Sequence, residues 1–432
     1  MDPVTTSITG VIAFLFLASL GMPIAFSFAI VGFSGVILLR GLDTALYLIG
    51  TSFYTYASDF GLVSVPLFIL MGQLVYYAGV SGDLYETANK WLGRLPGGLA
   101  LATNLACTGF AACTGTSLAS GATMGTIAYP EMKRYGYDDG LATGCICSGG
   151  TLGILIPPSI IFIVYGYLSN NSIAQLFIAG ILPGLMVSAM FTLLILIMCK
   201  LNSRLGPAGK SFPWGERLRS LKGVGGMLAL FITVIGGLYV GIFTPSEAGS
   251  IGAFGALVII VIKRKFTIKL LGQALRESLQ IMCMAMALFI GAMIFNTFIG
   301  ASGLPTVLSD WLLSLPLSRY GRLAVILSMY IPLGMFLDSL AMILLTVPIV
   351  YPVVVGMGFD PIWFGVELVI LTEMALMTPP VGMVVYVVTS VTRVPMKQVF
   401  WGSMPFVFVL AAALIILVFF PQIALLLPGT MK

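Results

Sequence analysis

The sequence predicts an all-α polytopic membrane protein that contains an inverted repeat, and three observations support this prediction. The first is composition: 59% of the 432 residues are apolar, only 9% are charged and the mean hydropathy is +1.07, whereas a soluble domain has about 25% charged residues. The second is a series of apolar runs that are long enough to cross a bilayer. The third is a pair of similar Pro-Pro segments, with Pro157 and Pro379 lying 222 residues apart.

Apolar runs that are bounded by Gly, Pro or charged residues predict eight membrane crossings. They cover residues 60–78, 139–168, 174–199, 224–243, 248–263, 278–298, 361–390 and 398–421. Residues 5–39 are also apolar, but Gly21-Met22-Pro23 interrupts them, so they fit either one tilted helix or two short ones. Residues 42–57 fit either a short span or an interfacial helix. Residues 98–133 and 320–352 contain small or polar residues midway, which predicts two re-entrant hairpins.

The basic residues predict the orientation of the chain in the membrane. Six of them lie in the loop 200–222 and five in the loop 263–276. Two predicted spans separate these loops, so both loops can be cytoplasmic, as the positive-inside rule requires. The same count places the C-terminus in the periplasm. Because the basic residues lie where topology requires them, the net charge of +5 does not indicate a nucleic-acid partner.

Histidine and cysteine usage gives no support for a zinc or haem site. The chain has no histidine, and its six cysteines lie inside apolar segments. Free cysteine packs as a small hydrophobic residue, so we interpret these cysteines as packing residues within the membrane.

The two Pro-Pro segments predict broken helices at membrane depth. Residues 153–159 contain Pro157-Pro158, and residues 375–381 contain Pro379-Pro380. Proline has no backbone N–H, and its ring clashes with the carbonyl four residues earlier. The carbonyls that the breaks would free belong to Gly153, Ile154, Ala375 and Leu376. Lipid cannot satisfy such groups, so matching breaks in two halves of a chain point to the binding site of a transporter.

Other residues repeat at the same spacing of 222 positions. The matched pairs include Ser117 with Ser339, Ala119 with Ala341, Asp138 with Asp360, and Gly180 with Gly402. Five predicted spans separate the two hairpins, and because this number is odd, the second copy lies upside down relative to the first. Such an inverted repeat places a substrate site near the middle of the membrane.

Each copy therefore offers a hairpin turn and a broken helix. The first turn contains Gly115, Thr116, Ser117 and Ser120, and the second contains Leu337, Asp338 and Ser339. Hydroxyls, a carboxylate and unpaired carbonyls are hard oxygen ligands, which suit a small cation such as Na⁺. The helix N-termini that restart after each break favour a substrate carboxylate. The alternative is that these small residues simply let helices pack closely.

Few charged residues lie inside the predicted spans. Asp338 has apolar neighbours on both sides, and an intramembrane carboxylate costs about 2.5–3.5 kcal/mol on insertion scales, so it is a functional candidate. Glu373 lies one turn before the second break, where it fits a ligand, a proton relay or a residue that holds the helix through a neighbour. Asp138 and Asp360 each precede a span, so we expect them to be helix caps.

Four motifs are the most specific parts of this sequence. They are Gly150-Thr151-Leu152-Gly153-Ile154-Leu155-Ile156-Pro157-Pro158-Ser159, Gly334-Met335-Phe336-Leu337-Asp338, Thr346-Val347-Pro348-Ile349 and Thr378-Pro379-Pro380-Val381-Gly382. Together with Gly21-Met22-Pro23-Ile24-Ala25-Phe26, they resemble the large membrane subunit of tripartite ATP-independent periplasmic (TRAP) transporters, and the resemblance covers essentially the whole chain. Ser339 stands where that family commonly has proline.

The resemblance implies partners and a mechanism. Such subunits work with a small four-helix membrane subunit and a periplasmic substrate-binding protein, and a sodium gradient drives the import of organic acids such as C4-dicarboxylates, sialic acid or sugar acids. In the elevator mechanism, a unit of hairpins and broken helices would slide against a scaffold. We therefore expect a multi-pass protein of the bacterial inner membrane that is not an enzyme. No four-helix segment precedes residue 1, so we expect a separate small subunit.

The resemblance also implies the site residues. One sodium site would use Gly115, Thr116, Ser117, Ser120, Gly153, Ile156 and Ser159. The other would use Leu337, Asp338, Ser339, Thr378, Val381 and Gly382. The organic acid would lie between them, against Thr116, Ser159, Asp338 and Gly382.

The same interpretation divides the chain into five parts. The N-terminal scaffold helices cover residues 1–59, the first repeat covers 60–199, and a basic cytoplasmic loop with linking scaffold helices covers 200–277. The inverted second repeat covers 278–421, and residues 422–432 form a C-terminal tail. The repeats contain the hairpins 98–133 and 320–352 and the broken helices 139–168 and 361–390.

Three other classes of protein remain as alternatives. A stand-alone carrier of the divalent-anion:sodium symporter type shares inverted repeats, hairpins and broken helices, but it needs no binding protein. A channel would give ohmic flux without a sodium stoichiometry, and the sequence shows no charged ring. An intramembrane enzyme is disfavoured, because Gly356-Met357-Gly358-Phe359-Asp360 only superficially resembles the Gly-x-Gly-Asp of aspartyl proteases and no histidine is present for a zinc protease.

Overall fold

The computed structural model describes residues 2–334, 336–380 and 382–431, apart from the side chains of residues 111–114. This described chain is helical and contains no strand. Within it, seven single helices are long and apolar enough to cross a membrane, and one bent pair forms a further broken span. The predicted all-α membrane fold is therefore confirmed.

The N-terminal apolar run 5–39 forms two helices rather than one. Helix α1 (Pro3–Ser19) and helix α2 (Ile24–Arg40) are separated by a short turn. Gly21 in this turn has a φ of +83°, a left-handed conformation that glycine adopts without strain. Helix α3 (Leu42–Ala57) follows directly and packs against α2.

The first repeat contains the predicted hairpin and the predicted broken helix. A 3₁₀ turn (Phe60–Leu62) and α4 (Ser64–Tyr77) form the first crossing, and α5 (Val80–Leu92) follows. The hairpin is α6 (Gly98–Thr114) with α7 (Ser117–Arg134). The broken helix is α8 (Asp139–Leu155) with α9 (Ile160–Ser169), which are bent by 41° at the first Pro-Pro pair, and α10 (Ile173–Leu201) ends the repeat.

Three long helices connect the two repeats: α11 (Trp214–Val240), α12 (Pro245–Ile262) and α13 (Ile268–Ala301). Helix α11 begins about three turns before the apolar run 224–243 that predicted it. The first three turns of α11 are polar, and side-chain contacts stabilise them. The Arg217 guanidinium lies 5.1 Å from the centre of the Trp214 ring, and Trp91 Nε1 donates to the Arg217 carbonyl at 3.2 Å. Hydropathy alone does not detect a helix end that is stabilised in this way.

The second hairpin differs from the prediction in its first arm. After α14 (Leu304–Ser314), this arm is split into α15 (Arg319–Ser328) and α16 (Tyr330–Gly334). Pro332 accounts for the split, because its ring clashes with the carbonyl of Ser328, four residues earlier. The other arm is the continuous helix α17 (Ser339–Gly356).

The second broken helix and the C-terminal helices complete the repeat. They are α18 (Pro361–Ala375), α19 (Met383–Thr392), α20 (Met396–Phe419), α21 (Gln422–Leu425) and a final 3₁₀ turn (Pro428–Thr430). Both Pro-Pro peptide bonds are cis. Five spanning elements, namely the α8–α9 pair and α10 to α13, separate the two hairpins. The second copy is therefore inverted, as the sequence predicts.

The first halves of the two broken helices form the core of the molecule. Residues 140–155 of α8 and residues 362–375 of α18 are all buried. Helix α20 approaches α8 so closely that a Cβ on Gly402 would lie 2.0 Å from the Gly140 carbonyl oxygen. On the other broken helix, Trp363 donates from Nε1 to the Leu417 carbonyl of α20 at 2.9 Å. Helix α20 is thus a common support for both.

Candidate functional site

The tips of the two hairpins meet at a shared cavity. The first tip, Gly115 and Thr116, joins α6 to α7, and the second tip precedes α17 at residues 336–338. A cavity of about 120 Å³ lies between them and is lined by residues of both tips, of α8 and α9, and of α13. Its polar lining consists of Thr116, Ser117, Asp338 and Ser339.

Two glycines bring the first break directly against the first hairpin tip. A Cβ on Gly153 would lie 2.8 Å from the Thr116 carbonyl oxygen and 3.0 Å from Ser120 Oγ. Gly115 has a φ of +62°, and a Cβ there would lie 3.0 Å from the Pro158 carbonyl oxygen. A larger side chain at either position would have to displace backbone. The structure therefore places the turn 115–120 and the break 153–159 in contact.

Ser159 and Ile156 of the first break have structural contacts of their own. Ser159 is fully buried and accepts a hydrogen bond from the Phe162 N–H at 3.4 Å, as the N-cap of α9. Ile156 is buried under α10, where a Cβ on Gly184 would lie 2.6 Å from its Cγ1 atom. Neither residue is among the described lining of the shared cavity, so both lie outside it.

Asp338 begins the second arm of the second hairpin and lines the shared cavity. Its Oδ1 atom accepts a hydrogen bond from the Ala341 N–H at 3.2 Å, which makes Asp338 the N-cap of α17. Leu337 is fully buried beside it. The capping bond stabilises the carboxylate, and Asp338 also lines the cavity.

Two further aspartates are helix caps, as the sequence predicts. Asp138 Oδ1 accepts from the Leu141 N–H at 3.0 Å at the start of α8. Asp360 Oδ1 accepts from the N–H groups of Ile362 and Trp363, at 2.8 and 3.0 Å, at the start of α18. Asp138 and Asp360 thus have a capping role, whereas Asp338 caps a helix and also lines the cavity.

The second break contributes Leu376 to the lining of the shared cavity, as the first contributes Ile154. Thr378 donates to the Ala375 carbonyl from Oγ1 at 2.7 Å and from its N–H at 3.1 Å. This carbonyl is therefore paired, contrary to the expectation that the break leaves it free, because the residue before the proline pair supplies donors. Gly382 has a φ of +53° and lies against the Phe400 ring. Thr378 and Gly382 are not among the described lining of the cavity, and Val381 lies outside the described residues.

Glu373 connects the two hairpin tips. Its Oε1 atom accepts hydrogen bonds from Ser339 Oγ at 3.0 Å and from Ser117 Oγ at 3.4 Å. All three side chains are buried. Sequence reasoning left three roles open for Glu373, and these contacts show that it links elements. The sequence shows that Ser117 and Ser339 occupy equivalent positions of the repeat, but it does not show that both contact Glu373.

The structure brings together two of the four residues that were expected to contact substrate. Thr116 and Asp338 line the shared cavity from opposite tips, whereas Ser159 and Gly382 do not line it. Sequence reasoning missed the contribution of α13, which adds Ile281 and Met284 to the lining. These apolar residues are typical of any membrane helix, so the sequence carries no signal for this role.

A larger cavity of about 240 Å³ extends from the first tip between α7, α4 and α13. Its lining residues are Ile69, Gly72, Gln73, Tyr76, Phe110, Thr116, Ala119, Ala122, Thr123, Glu277 and Ile281. Thr116 and Ile281 line both cavities, so the two cavities adjoin. The Glu277 carboxylate accepts a hydrogen bond from the Tyr77 hydroxyl at 2.5 Å.

The larger cavity extends toward the basic loops. Lys265, in the basic loop between α12 and α13, donates from Nζ to the Ala78 carbonyl at 3.1 Å, immediately after the end of α4. Lys263 of the same loop forms an ion pair with Asp83. Because Tyr76 of the cavity lies within one helical turn of Ala78, the cavity runs from the first hairpin tip to the side that carries the basic loops.

Comparison with known proteins agrees with this architecture. Residues 11–423 match the family described as the tripartite ATP-independent periplasmic transporter, DctM component. The C4-dicarboxylate TRAP transporter large permease protein DctM of Pseudomonas aeruginosa is 34% identical over 401 residues, which cover 92% of this chain and 93% of that protein. The 2,3-diketo-L-gulonate TRAP transporter large permease protein YiaN of Escherichia coli K12 is 34% identical over 412 residues, which cover 94% and 95%. Both relatives are permease subunits, not enzymes.

A solved structure has a similar fold. The chain aligns with the crystal structure of the Alcanivorax borkumensis YdaH transporter with a TM-score of 0.64 and 14% identity, over 99% of this chain and 98% of that one. At this identity the likeness shows a shared fold alone. The family match over residues 11–423, together with the apolar spans, shows that the chain belongs to the DctM component family of tripartite ATP-independent periplasmic transporters and is a multi-pass protein of the bacterial inner membrane.

Proposed function

We propose that this chain is the subunit that moves small organic acids, as carboxylate anions, across the inner membrane together with sodium ions. The observation that carries the proposal is the convergence of both hairpin tips on one cavity with a polar lining of three hydroxyls and a carboxylate. Such oxygens are hard ligands that suit a small cation. Helices α7 and α17 both begin at this cavity, and the partial positive charge of their N-termini favours an anionic substrate.

The substrate class is supported by the names of the relatives. One of them transports C4-dicarboxylates and another 2,3-diketo-L-gulonate. These molecules differ in their carbon skeletons and share a carboxylate. We therefore assign an organic acid to this chain, held between the two hairpin tips near Thr116 and Asp338.

Sodium ions would compensate the charge of the bound acid. A carboxylate in a site of low dielectric is strongly unfavourable without an opposite charge. In this proposal one ion binds at the turn 115–120 with the break 153–159, and the other binds at residues 337–339 with residues 378–382. Substrate and ion then strengthen each other's binding by the same factor, because linkage is reciprocal.

The proposed motion is that of an elevator. The hairpins and broken helices form the moving unit, and the scaffold consists of the N-terminal helices with the linking helices of residues 200–277. The larger cavity lies between the first hairpin and helices α4 and α13 and runs to the side of the basic loops. Because basic loops are cytoplasmic, this conformation would release substrate into the cytoplasm.

We also propose two protein partners, as the word tripartite in the family description indicates. One is a small four-helix membrane subunit, and the other is a periplasmic substrate-binding protein that delivers the acid. The large subunit would then supply the path through the membrane, while the binding protein would supply much of the selectivity for one acid.

Uptake by the reconstituted proteins tests this proposal. Liposomes would contain the large subunit with or without the small subunit, and a labelled dicarboxylate or sugar acid would be offered with or without the binding protein. We expect uptake only when all three proteins and an inward sodium gradient are present, and background uptake when potassium replaces sodium. Sodium-driven uptake by the large subunit alone would favour a stand-alone carrier. Ohmic flux without sodium dependence would favour a channel.

A further inference from the structure

One buried carboxylate lies between the two halves of the proposed site and accepts hydrogen bonds from both. Glu373 is in the last turn of α18, and its Oε1 atom accepts from Ser117 Oγ and from Ser339 Oγ. Ser117 is the first residue of α7, and Ser339 is the first residue of α17. Three separate chain segments therefore meet at one oxygen atom.

The arrangement breaks the symmetry of the repeat in one respect. Ser117 and Ser339 occupy equivalent positions, but the equivalent of Glu373 in the first copy is Thr151. The Thr151 hydroxyl donates to the Ser148 carbonyl at 2.6 Å, within its own helix. A single carboxylate, supplied by the second copy, thus serves both hairpin tips.

The positions of Ser117 and Ser339 at helix N-termini favour their hydrogen bonds to the Glu373 side chain. The first residues of α7 and α17 lie where the helix dipoles place partial positive charge, which favours an electronegative acceptor such as Oε1. Glu373 is 1% exposed, so water does not compete for Oε1. The other oxygen, Oε2, has no hydrogen-bond donor among the described residues. The side chain is therefore oriented by the two serines.

We propose that Glu373 is a positioning residue that links the two hairpin tips through its hydrogen bonds to Ser117 and Ser339. This link, the tie, transmits a change at one half of the site to the other. A tip that moves to close around a ligand has to carry Oε1 with it or lose its hydrogen bond. The opposite tip then follows or loses its own bond. The tie explains how two cation sites at separate tips would act as one unit.

Hydrogen–deuterium exchange in the absence of sodium tests the tie directly. The transporter, purified with its subunits in lipid nanodiscs, would be compared with the variants Glu373→Ala, Ser117→Ala and Ser339→Ala. We expect Glu373→Ala to raise exchange at residues 115–120 and at residues 336–342 by about tenfold, the factor that accompanies loss of a buried hydrogen bond. Ser117→Ala should raise exchange at the second tip as well, although it lies on the first.

Two control variants separate the tie from simpler effects. Glu373→Gln keeps a carbonyl acceptor for both serines, so exchange at both tips should stay within about threefold of the wild type. Glu367→Ala removes another fully buried carboxylate from the same helix, one whose oxygens have no donor among the described residues. It should leave exchange at both tips unchanged.

The exchange results decide the proposal. It is overturned if Glu373→Ala changes neither tip or only one, or if each serine variant affects only its own tip. It is also overturned if Glu373→Gln behaves like Glu373→Ala, since that result would assign the effect to charge. Should Glu373→Ala fail to fold, the two serine variants still measure transmission between the tips.

Sodium dependence of uptake gives a second readout, which rests on the proposed function. We expect sigmoidal dependence in the wild type and in Glu373→Gln. In Glu373→Ala and in the double variant Ser117→Ala/Ser339→Ala, we expect hyperbolic dependence with half-saturation at a sodium concentration about tenfold higher. A lower maximal rate with unchanged sigmoidicity would indicate a purely structural role and contradict the tie. If wild-type uptake does not require sodium, the proposed function fails, while the exchange data still decide the tie.

Discussion

The two Pro-Pro breaks occupy equivalent positions of the repeat, but their surroundings differ. At the first break every residue from Gly153 to Ser159 is buried. At the second break Pro379 and Pro380 are exposed and border a surface cavity of about 410 Å³ against α20. The first break is therefore held on all sides, whereas the second has a free side. A repeated motif determines the path of the backbone, and the neighbouring helices determine whether that path is buried.

The neighbouring helices differ because equivalent glycines pack against different partners. Gly180 of α10 lies against the first break, where a Cβ would be 2.5 Å from the Leu155 carbonyl oxygen. Its counterpart, Gly402 of α20, lies against Gly140 of the other copy. Through these glycines α10 packs on the break of its own repeat, while α20 packs on α8 and contacts its own break through the Phe400 ring. The inverted repeat is symmetric in sequence and asymmetric in packing.

The largest expected effect comes from Asp338, the carboxylate of the second copy that lines the shared cavity. We predict that Asp338→Asn reduces sodium-driven uptake to background while membrane insertion and thermal stability stay close to wild type. Asparagine is as good an N-cap as aspartate, so the variant removes the charge and keeps the cap.

Asp360→Asn is the matched control for this variant, because Asp360 also caps a helix and does not line either cavity. It should transport at a rate close to wild type. Wild-type sodium dependence in Asp338→Asn would contradict the assignment of Asp338, and equal losses in both variants would show that capping is what matters.

A smaller effect is expected at the buried break. We predict that Gly153→Ala lowers uptake by about tenfold and lowers the thermal midpoint, because the new methyl group meets the Thr116 carbonyl at 2.8 Å and such overpacking costs about 1–3 kcal/mol. Uptake assays and thermal unfolding of the purified protein would measure both changes.

Gly50→Ala serves as the control for a helical glycine with free space, since a Cβ there meets no atom within 4 Å. It should be neutral or slightly stabilising, as expected when alanine replaces glycine in a helix. If Gly153→Ala is equally neutral, the first break is not in tight contact with the first hairpin tip.

The smallest expected effect concerns access rather than activity. Ile156 and Thr378 are equivalent positions in the two breaks; Ile156 is 6% exposed, and Thr378 is partly exposed. We predict that a cysteine at position 378 reacts with a small thiol reagent at least about tenfold faster than one at position 156, since local opening must precede reaction at a buried site. Both cysteines would be placed in a background without the native ones. Equal rates would remove the difference between the two breaks.

The fold class was predictable from the sequence, because composition and apolar run length depend on the bilayer rather than on tertiary detail. Both hairpins, both broken helices and the caps at Asp138 and Asp360 were also predicted. Proline, glycine and capping residues act on the backbone next to them, so their effects can be read from the local sequence. The split at Pro332 follows from the same local rule and was missed. The polar start of α11 was missed because contacts with a distant helix stabilise it.

The candidate site was predictable only in part. The residues of each tip were found from the repeat, but their meeting at one cavity depends on how the two copies pack. The expectation that the break leaves the Ala375 carbonyl free was wrong because Thr378 bonds it. The role of α13 and the link through Glu373 depend on contacts between segments far apart in sequence, which a pattern of residue types does not reveal.

The most direct test of the central claim is a density map of the transporter in lipid nanodiscs with sodium and a bound organic acid. We predict interrupted helices at Pro157 and Pro379, oppositely oriented copies, and density for an anion flanked by cations between Thr116 and Asp338. Continuous helices through both proline pairs, copies that face the same way, or a ligand bound away from the two tips would contradict the account.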